Sequence, residues 1–278
     1  MATYYAKRAL EILREDGVIA LIKTVLNCFY RYRRVRVPQL IGKFKYRSSY
    51  PDPDKIIYIN LTDIKYGILS NSLSNPGTYI IDGDWDKNIN KNTDKIPYYS
   101  DRAAYKEIIR KNPWQLYPLE KWDHYNSFVE HFNKNVAWED TEFYTQLIDD
   151  TGRNSNKYTG SESIKNRFRY NDELFYSIKN NGFLTNQQLQ NQKDTSFQKH
   201  PHGEIGVGIT RNGDFVWVRN GALHRFTIAK ILQIQSVPVK VKLRHKKWQE
   251  LRDEIHNNGL PEGCEDLRDH PDLQDVLN

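Results

Sequence analysis

The sequence predicts an α+β protein that ends in a small α/β domain, and three observations predict it. Glu204-Ile-Gly-Val-Gly-Ile209 and Phe215-Val-Trp-Val218 are short apolar runs on either side of Arg211-Asn212-Gly213-Asp214. Two such runs around an Asn-Gly pair read as a β-hairpin. A helix-period run follows from about His224 to Leu232, carrying Phe226, Ile228, Ala229, Ile231 and Leu232. Val237-Pro-Val-Lys-Val-Lys-Leu243 then reads as a last strand, with a second helix from Lys246 to about His256.

The 278 residues suit one large or two smaller domains. Hydrophobic residues make up 38% and aromatics 13%, which excludes a disordered chain despite the many Asn, Gln and Lys residues. No window reaches the roughly 18 continuous apolar residues of a membrane span. Acidic Glu11, Glu15 and Asp16 before the apolar run, with no small-residue cleavage site after it, argue against a signal peptide. Cys28 and Cys264 are the only cysteines, too few for a disulfide framework or a metal knuckle, so a reduced, cytoplasmic protein is expected.

The net charge of +6 is uneven. Residues 1–48 hold eleven Lys and Arg against three acidic residues, a net +8 that leaves −2 for the remainder. They form a basic amphipathic helical arm, and an anionic partner recognised by bulk charge meets it first. Within it, Val18 to Tyr30 is almost wholly apolar and runs into Arg31, Arg33, Arg34 and Arg36, with Pro38 as the stop. Residues 18–36 carry two readings: a helix packed on the body, and an interfacial helix that makes the protein peripheral to a membrane. DNA contact is disfavoured, because so wide an apolar face wants a core or a lipid.

Residues 49–158 read as a mixed α+β, aromatic-rich region. Lys55–Ile59 and Thr78–Ile81 are strand candidates. The second leads into Asp82-Gly-Asp-Trp-Asp86, whose spacing does not fill a calcium loop, so a solvated turn is expected. Trp114, Tyr117, Trp122, Tyr125, Phe128, Phe132, Trp138, Phe143 and Tyr144 recur mostly at three- to six-residue steps and are expected in the core, with a groove for sugars or bases as the alternative. Residues 151–160 read as a boundary loop. Residues 159–258 form the α/β domain proper. Ser161-Glu-Ser163 and Asn171-Asp172 are both helix-start signals, Leu174, Phe175 and Ile178 make one apolar face, and Asn181-Gly182 is the stop. Residues 259–278 form an acidic, Pro-containing tail, expected to be poorly ordered.

The chemistry concentrates at Val218-Arg-Asn-Gly-Ala-Leu-His-Arg225. A strand ends, Gly221 allows a tight bend, and a helix begins with free backbone N–H groups that attract a phosphate. His224 and Arg225 lie in its first turn, and arginine suits bidentate phosphate contact. The competing reading pairs Arg225 with a carboxylate.

The run Phe215–Leu232 followed by Val237-Pro238-Val239 resembles the ParB/sulfiredoxin superfamily, in which a strand leads to a Gly-x-x-Arg or Gly-Cys-His-Arg turn, a helix, and a strand opening on Val-Pro or Ile-Pro. Leu174-Phe-Tyr-Ser-Ile-Lys-Asn-Asn-Gly182 resembles that family's upstream helix. The resemblance covers about a third of the chain. It implies a nucleoside-triphosphate site built from Asn220, Gly221, Ala222, Leu223, His224 and Arg225, with Ser177 facing the nucleotide. Leu223 stands where sulfiredoxins carry their catalytic cysteine, which argues against sulfiredoxin chemistry. The Glu-Arg-Arg turn and the following helix-turn-helix of ParB proper are also missing, which argues against chromosome partition. Asn220–Arg225 comes nearer to the Asp-Gly-His-His-Arg turn of the superfamily's free-serine kinases.

Two function classes follow. The first is a phosphotransferase moving phosphate from ATP or a related nucleotide to a small hydroxyl, a sugar or a lipid-linked glycan. Mg²⁺ would bridge the phosphates, His224 would act at the helix start, and Glu204 would be the base. The second is a nucleotide-switched module that binds DNA or protein without transfer.

Overall fold

The computed structural model describes residues 14, 18–19, 49–52, 54–69, 79–93, 95–97, 115–151, 160–191, 204–219 and 222–277. The chain divides into two units, Met1–Tyr50 and Pro51–Asn278. In the first, Val18 and Ile19 are helical and exposed. The rest of the 18–36 segment lies outside the described residues. No helix among the described residues is long and apolar enough to cross a membrane.

The second unit is a mixed sheet covered by helices. Its strands are β1 (Ile56–Ile59), β2 (Tyr66–Ile68), β3 (Tyr79–Ile81), β4 (Leu116–Pro118), β5 (Ile205–Ile209), β6 (Phe215–Val218) and β7 (Val237–His245). The order is β1-β7-β5-β6-β2-β4, with β3 also paired to β7. The hairpin is where the sequence puts it: β5 and β6 pair antiparallel, with Ile209 opposite Phe215. Gly213 sits in its turn at φ 94°, a left-handed conformation that favours glycine. β5 lies between β6 and a parallel β7, and all five of its residues are buried. Burial on both faces is why its sequence runs apolar without alternation. β1 and β3 share the outer edge of β7, one antiparallel on its first half and the other parallel on its second.

The described helices of this unit are α1 (Asp123–Lys134), α2 (Glu142–Thr151), α3 (Ser161–Asn181), α4 (Asn186–Asn191), α5 (Leu223–Ile231) and α6 (Lys246–Asn258). α5 lies on the sheet, with Phe226 stacked on Trp217 of β6 at 4.5 Å between ring centroids. Of the aromatic residues expected in the core, Trp114 lies outside the described residues, Tyr117, Trp122, Phe128, Trp138 and Phe143 are buried, and Tyr125, Phe132 and Tyr144 pack against them partly buried. Phe128, Trp138, Phe143 and Phe168 are buried against one another, and Phe132 stacks on Phe175 at 3.9 Å.

Three local expectations give way to tertiary contacts. α3 runs unbroken through Asn171 and Asp172. Asp172 accepts from Trp138 Nε1 at 2.8 Å and lies 3.1 Å from His131 Nε2, so its carboxylate is used across the helix layer and not as a cap. In Asp82–Asp86, Asp82, Gly83 and Asp84 are exposed as a solvated turn would be, but Asp86 is not. Arg211 donates to both Asp86 oxygens at 3.1 and 2.9 Å and to Asp84 at 2.7 Å, and the Asp86 side chain is buried. His245 reaches the carbonyl of Gly83 at 2.8 Å. The tail is folded, with Leu273 and Val276 buried. Asp272 is fully buried and accepts from Arg244 Nε and from Trp248 Nε1, each at 2.9 Å, with Arg252 at 3.6 Å. Burial by itself would raise the Asp272 carboxyl, but the charges and hydrogen bonds of these partners outweigh it and hold the group below the usual carboxylate range.

Candidate functional site

At the junction, β6 ends at Val218 and α5, which lies on the sheet, begins at Leu223. Asn220 and Gly221 lie outside the described residues. Ala222 is the residue before α5, buried, and its carbonyl accepts from Phe226 N–H at 3.0 Å. Leu223 is buried and belongs to the hydrophobic core.

His224 and Arg225 are adjacent in sequence, yet they enter different environments. His224 is 9% exposed and sits among aromatic rings, with Phe128 stacked at 5.4 Å, His124 of α1 at 5.3 Å and Phe143 at 6.0 Å. Arg167 of α3 donates to His224 Nε2. A guanidinium can only donate, so Nε2 is the acceptor of this contact. His124 is 2% exposed, with Thr227 Oγ1 at 3.5 Å from its Nε2. Burial first, then the charges of Arg219 and Arg167, hold its proton affinity well below that of an ordinary histidine. Arg219, just after β6, also lies over the Trp122 ring at 5.6 Å. Arg167 thus touches His224 at the start of α5, and its charge, with that of Arg219, bears on His124 of α1.

Arg225 turns the other way. Its guanidinium donates to the carbonyl of Leu184 and to Asn186 Oδ1, lies over the Phe183 ring at 4.4 Å, and stands 3.6 Å from Glu204 Oε2. Glu204 is 4% exposed, and its Oε1 accepts from Asn186 N–H at 2.6 Å. Burial lowers the Arg225 proton affinity, while the Glu204 charge opposes that shift. The group ties α5 to the α3–α4 connection and to the entrance of β5. The structure therefore brings Glu204 and Arg225 together as a buried pair and places His224 with Arg167.

Ser177 is half-buried on α3. Ten residues separate it from Arg167, about 15 Å along the helix axis. The contributions of Arg167, Arg219 and His124 were missed by the sequence reading. Arg219 lies inside the singled-out motif, but nothing local distinguishes it from a strand-end arginine. Arg167 and His124 lie 57 and 100 residues from His224, and no spacing rule links them. Among the described residues, no group of three or more His, Cys, Asp or Glu side chains converges to hold a metal ion.

No family model, no curated protein and no solved structure matches this chain.

Proposed function

We propose that this chain binds the phosphate of a nucleotide, ATP or a relative, at the β6–α5 junction, and that the ligand acts as a switch. One observation carries the reading: Arg167 of α3 reaches His224 in the first turn of α5, and the charges of Arg167 and Arg219 both bear on the neighbouring His124. A helix start supplies backbone donors and a favourable dipole for an anion, and two guanidinium groups add charge-assisted donors. The ParB/sulfiredoxin resemblance supports the same location. Of the residues it marks, Ala222, Leu223 and His224 supply backbone at the helix start, while Arg225 fits a strut.

The transferase form needs a base within reach of an acceptor hydroxyl. Glu204 is buried and held by Arg225 and by the Asn186 amide, which favours binding without transfer. A Mg²⁺ ion, if used, would be carried by the phosphates and one or two carboxylates.

Calorimetry with ATP, CTP and their diphosphates tests the reading. Hydrogen bonds to charged groups contribute about 1.5–3 kcal/mol, so Arg167→Ala should weaken binding about ten- to a hundredfold. Equal affinity in the variant would remove the site. ADP release that rises with added amino acids, sugars or glycan lipids would restore the transferase form.

A further inference from the structure

We propose that the groove between β1, the β5–β6 turn and the folded C-terminal segment is a binding site for a small organic amine in its ammonium form. The proposal is independent of the phosphate reading, because the groove meets β6 at Phe215, its first residue, whereas the phosphate would sit beyond Val218, its last. Tyr58 and Asp63 reach the groove from β1 and the turn after it, Asp214 and Phe215 from the hairpin, and His270 from the segment after α6. Its volume is about 390 Å³, within the range of small-molecule sites. At the roughly 30 Å³ that a water takes in the liquid, that is room for about a dozen heavy atoms.

The chemistry of the walls selects the occupant. Phe215 and His270 stack at 5.1 Å between ring centroids and 15° between planes, which makes a flat apolar plate. Both nitrogens of His270 are spent, Nε2 at 3.0 Å from the Gly213 carbonyl and Nδ1 accepting from Asp272 N–H at 3.2 Å. Burial holds its proton affinity below that of an ordinary histidine, so this wall carries no positive charge. The amides are spent as well. Asn60 Nδ2 donates to Gln235 Oε1 at 2.9 Å, Asn60 Oδ1 accepts from Thr62 N–H and Oγ1, and Gln235 Nε2 donates to the Gln233 carbonyl at 3.1 Å. The carboxylates of Asp63 and Asp214 remain. Asp214 Oδ2 accepts from Thr210 Oγ1 at 3.3 Å, and among the described residues neither carboxylate has a Lys or Arg at ion-pair distance. Lys230 feels the Asp63 charge, but its ammonium is committed to the carbonyls of Leu61 and Thr62, each at 2.9 Å. Tyr58 lines the groove and is still 53% exposed, so its ring is open to a ligand. A carboxylate only accepts, so the occupant must donate. A sugar needs donors as well as acceptors from its site, and a phosphate would be repelled. An ammonium donates up to three hydrogen bonds, is drawn by both charges and by an aromatic face, and leaves its carbon body for the plate.

The test titrates the ¹⁵N-labelled full chain with phenethylamine and cadaverine, and with N-acetylphenethylamine and glucose as uncharged counterparts. Either amine should shift the backbone amides of Asn60, Gly213 and Asp214 saturably, and the uncharged compounds should leave them in place. Asp63 and Asp214 are exposed, so Asp63→Asn and Asp214→Asn should fold as the parent does. Each should weaken the amine about two- to fivefold, as for an exposed charge pair, and the double variant about tenfold. Added salt should weaken binding by screening. Shifts caused by glucose and not by the amines would overturn the ammonium assignment. Amine shifts scattered over other surfaces, or unchanged in the double variant, would overturn the site, and so would the absence of any saturable shift.

Discussion

Arg225→Ala separates a strut from a ligand. In the folded protein the guanidinium faces Glu204, whose side chain is 4% exposed, at 3.6 Å. Truncation leaves that carboxylate buried, still accepting from the Asn186 N–H but without the guanidinium charge that faces it. Removing one member of a buried pair typically costs about 3–5 kcal/mol, because the other charge is stranded. The stack on Phe183 at 4.4 Å adds a cation–π contribution of about 1 kcal/mol. At a urea slope of about 2–3 kcal/mol per molar, the unfolding midpoint should fall by about 1–3 M. Glu204→Gln alone should cost less, since the amide keeps the shape and needs no counter-charge. Replacing both residues with apolar ones should recover much of the Arg225→Ala loss. The measurement is equilibrium urea unfolding by tryptophan fluorescence, alongside calorimetry with ATP. An Arg225→Ala protein with an unmoved midpoint and abolished nucleotide binding would refute the strut assignment and make Arg225 a phosphate ligand.

Further outcomes follow from the same geometry. The Asp272 carboxyl is depressed in the folded state, so its contribution is present above its unfolded value of about 3.9 and is lost as pH falls through the lower folded value. Asp272→Asn should therefore flatten the acid limb of a stability–pH curve, and an unchanged limb would argue against the cluster. Gly213→Ala puts a Cβ 2.7 Å from the buried Trp248 ring at φ 94°, and strain with overpacking should cost at least about 2 kcal/mol in thermal or urea unfolding. Deleting residues 260–278 strands Arg244 and Arg252 in the interior and should leave an aggregating or unfolded protein; a truncated chain of full stability would refute the packed tail. Deleting residues 1–36 should leave the anion site intact and weaken association with anionic vesicles, by about 1 kcal/mol for each basic residue near the surface. Vesicle binding equal to that of the full chain would dismiss the interfacial reading of the arm.

Much of the second unit was legible in the sequence, because its information is local. The Asn212-Gly213 turn, the apolar runs of β5 and β6, the helical period of α5 and the β-branched run of β7 each announce themselves within a few residues. So did the aromatic core, through its recurrent spacing. β2 and β4 were not legible, since a three-residue strand is too short to show a period. The segment after Gly259 looked like a tail because its charges read as solvated. Only the fold supplies the buried Arg244 and Arg252 that make Asp272 a clamp.

The candidate site divides in the same way. The sequence by itself determined that a strand and a helix carrying His224 and Arg225 follow one another, which is enough to single out that helix start as a candidate anion site. The tertiary structure decided what those two side chains do. Neighbours on a helix point about 100° apart, so His224 meets Arg167 and His124 while Arg225 swings to Glu204 and the α3–α4 connection. Which carboxylate lies beside which guanidinium depends on how distant elements pack, and a one-dimensional spacing carries no record of that.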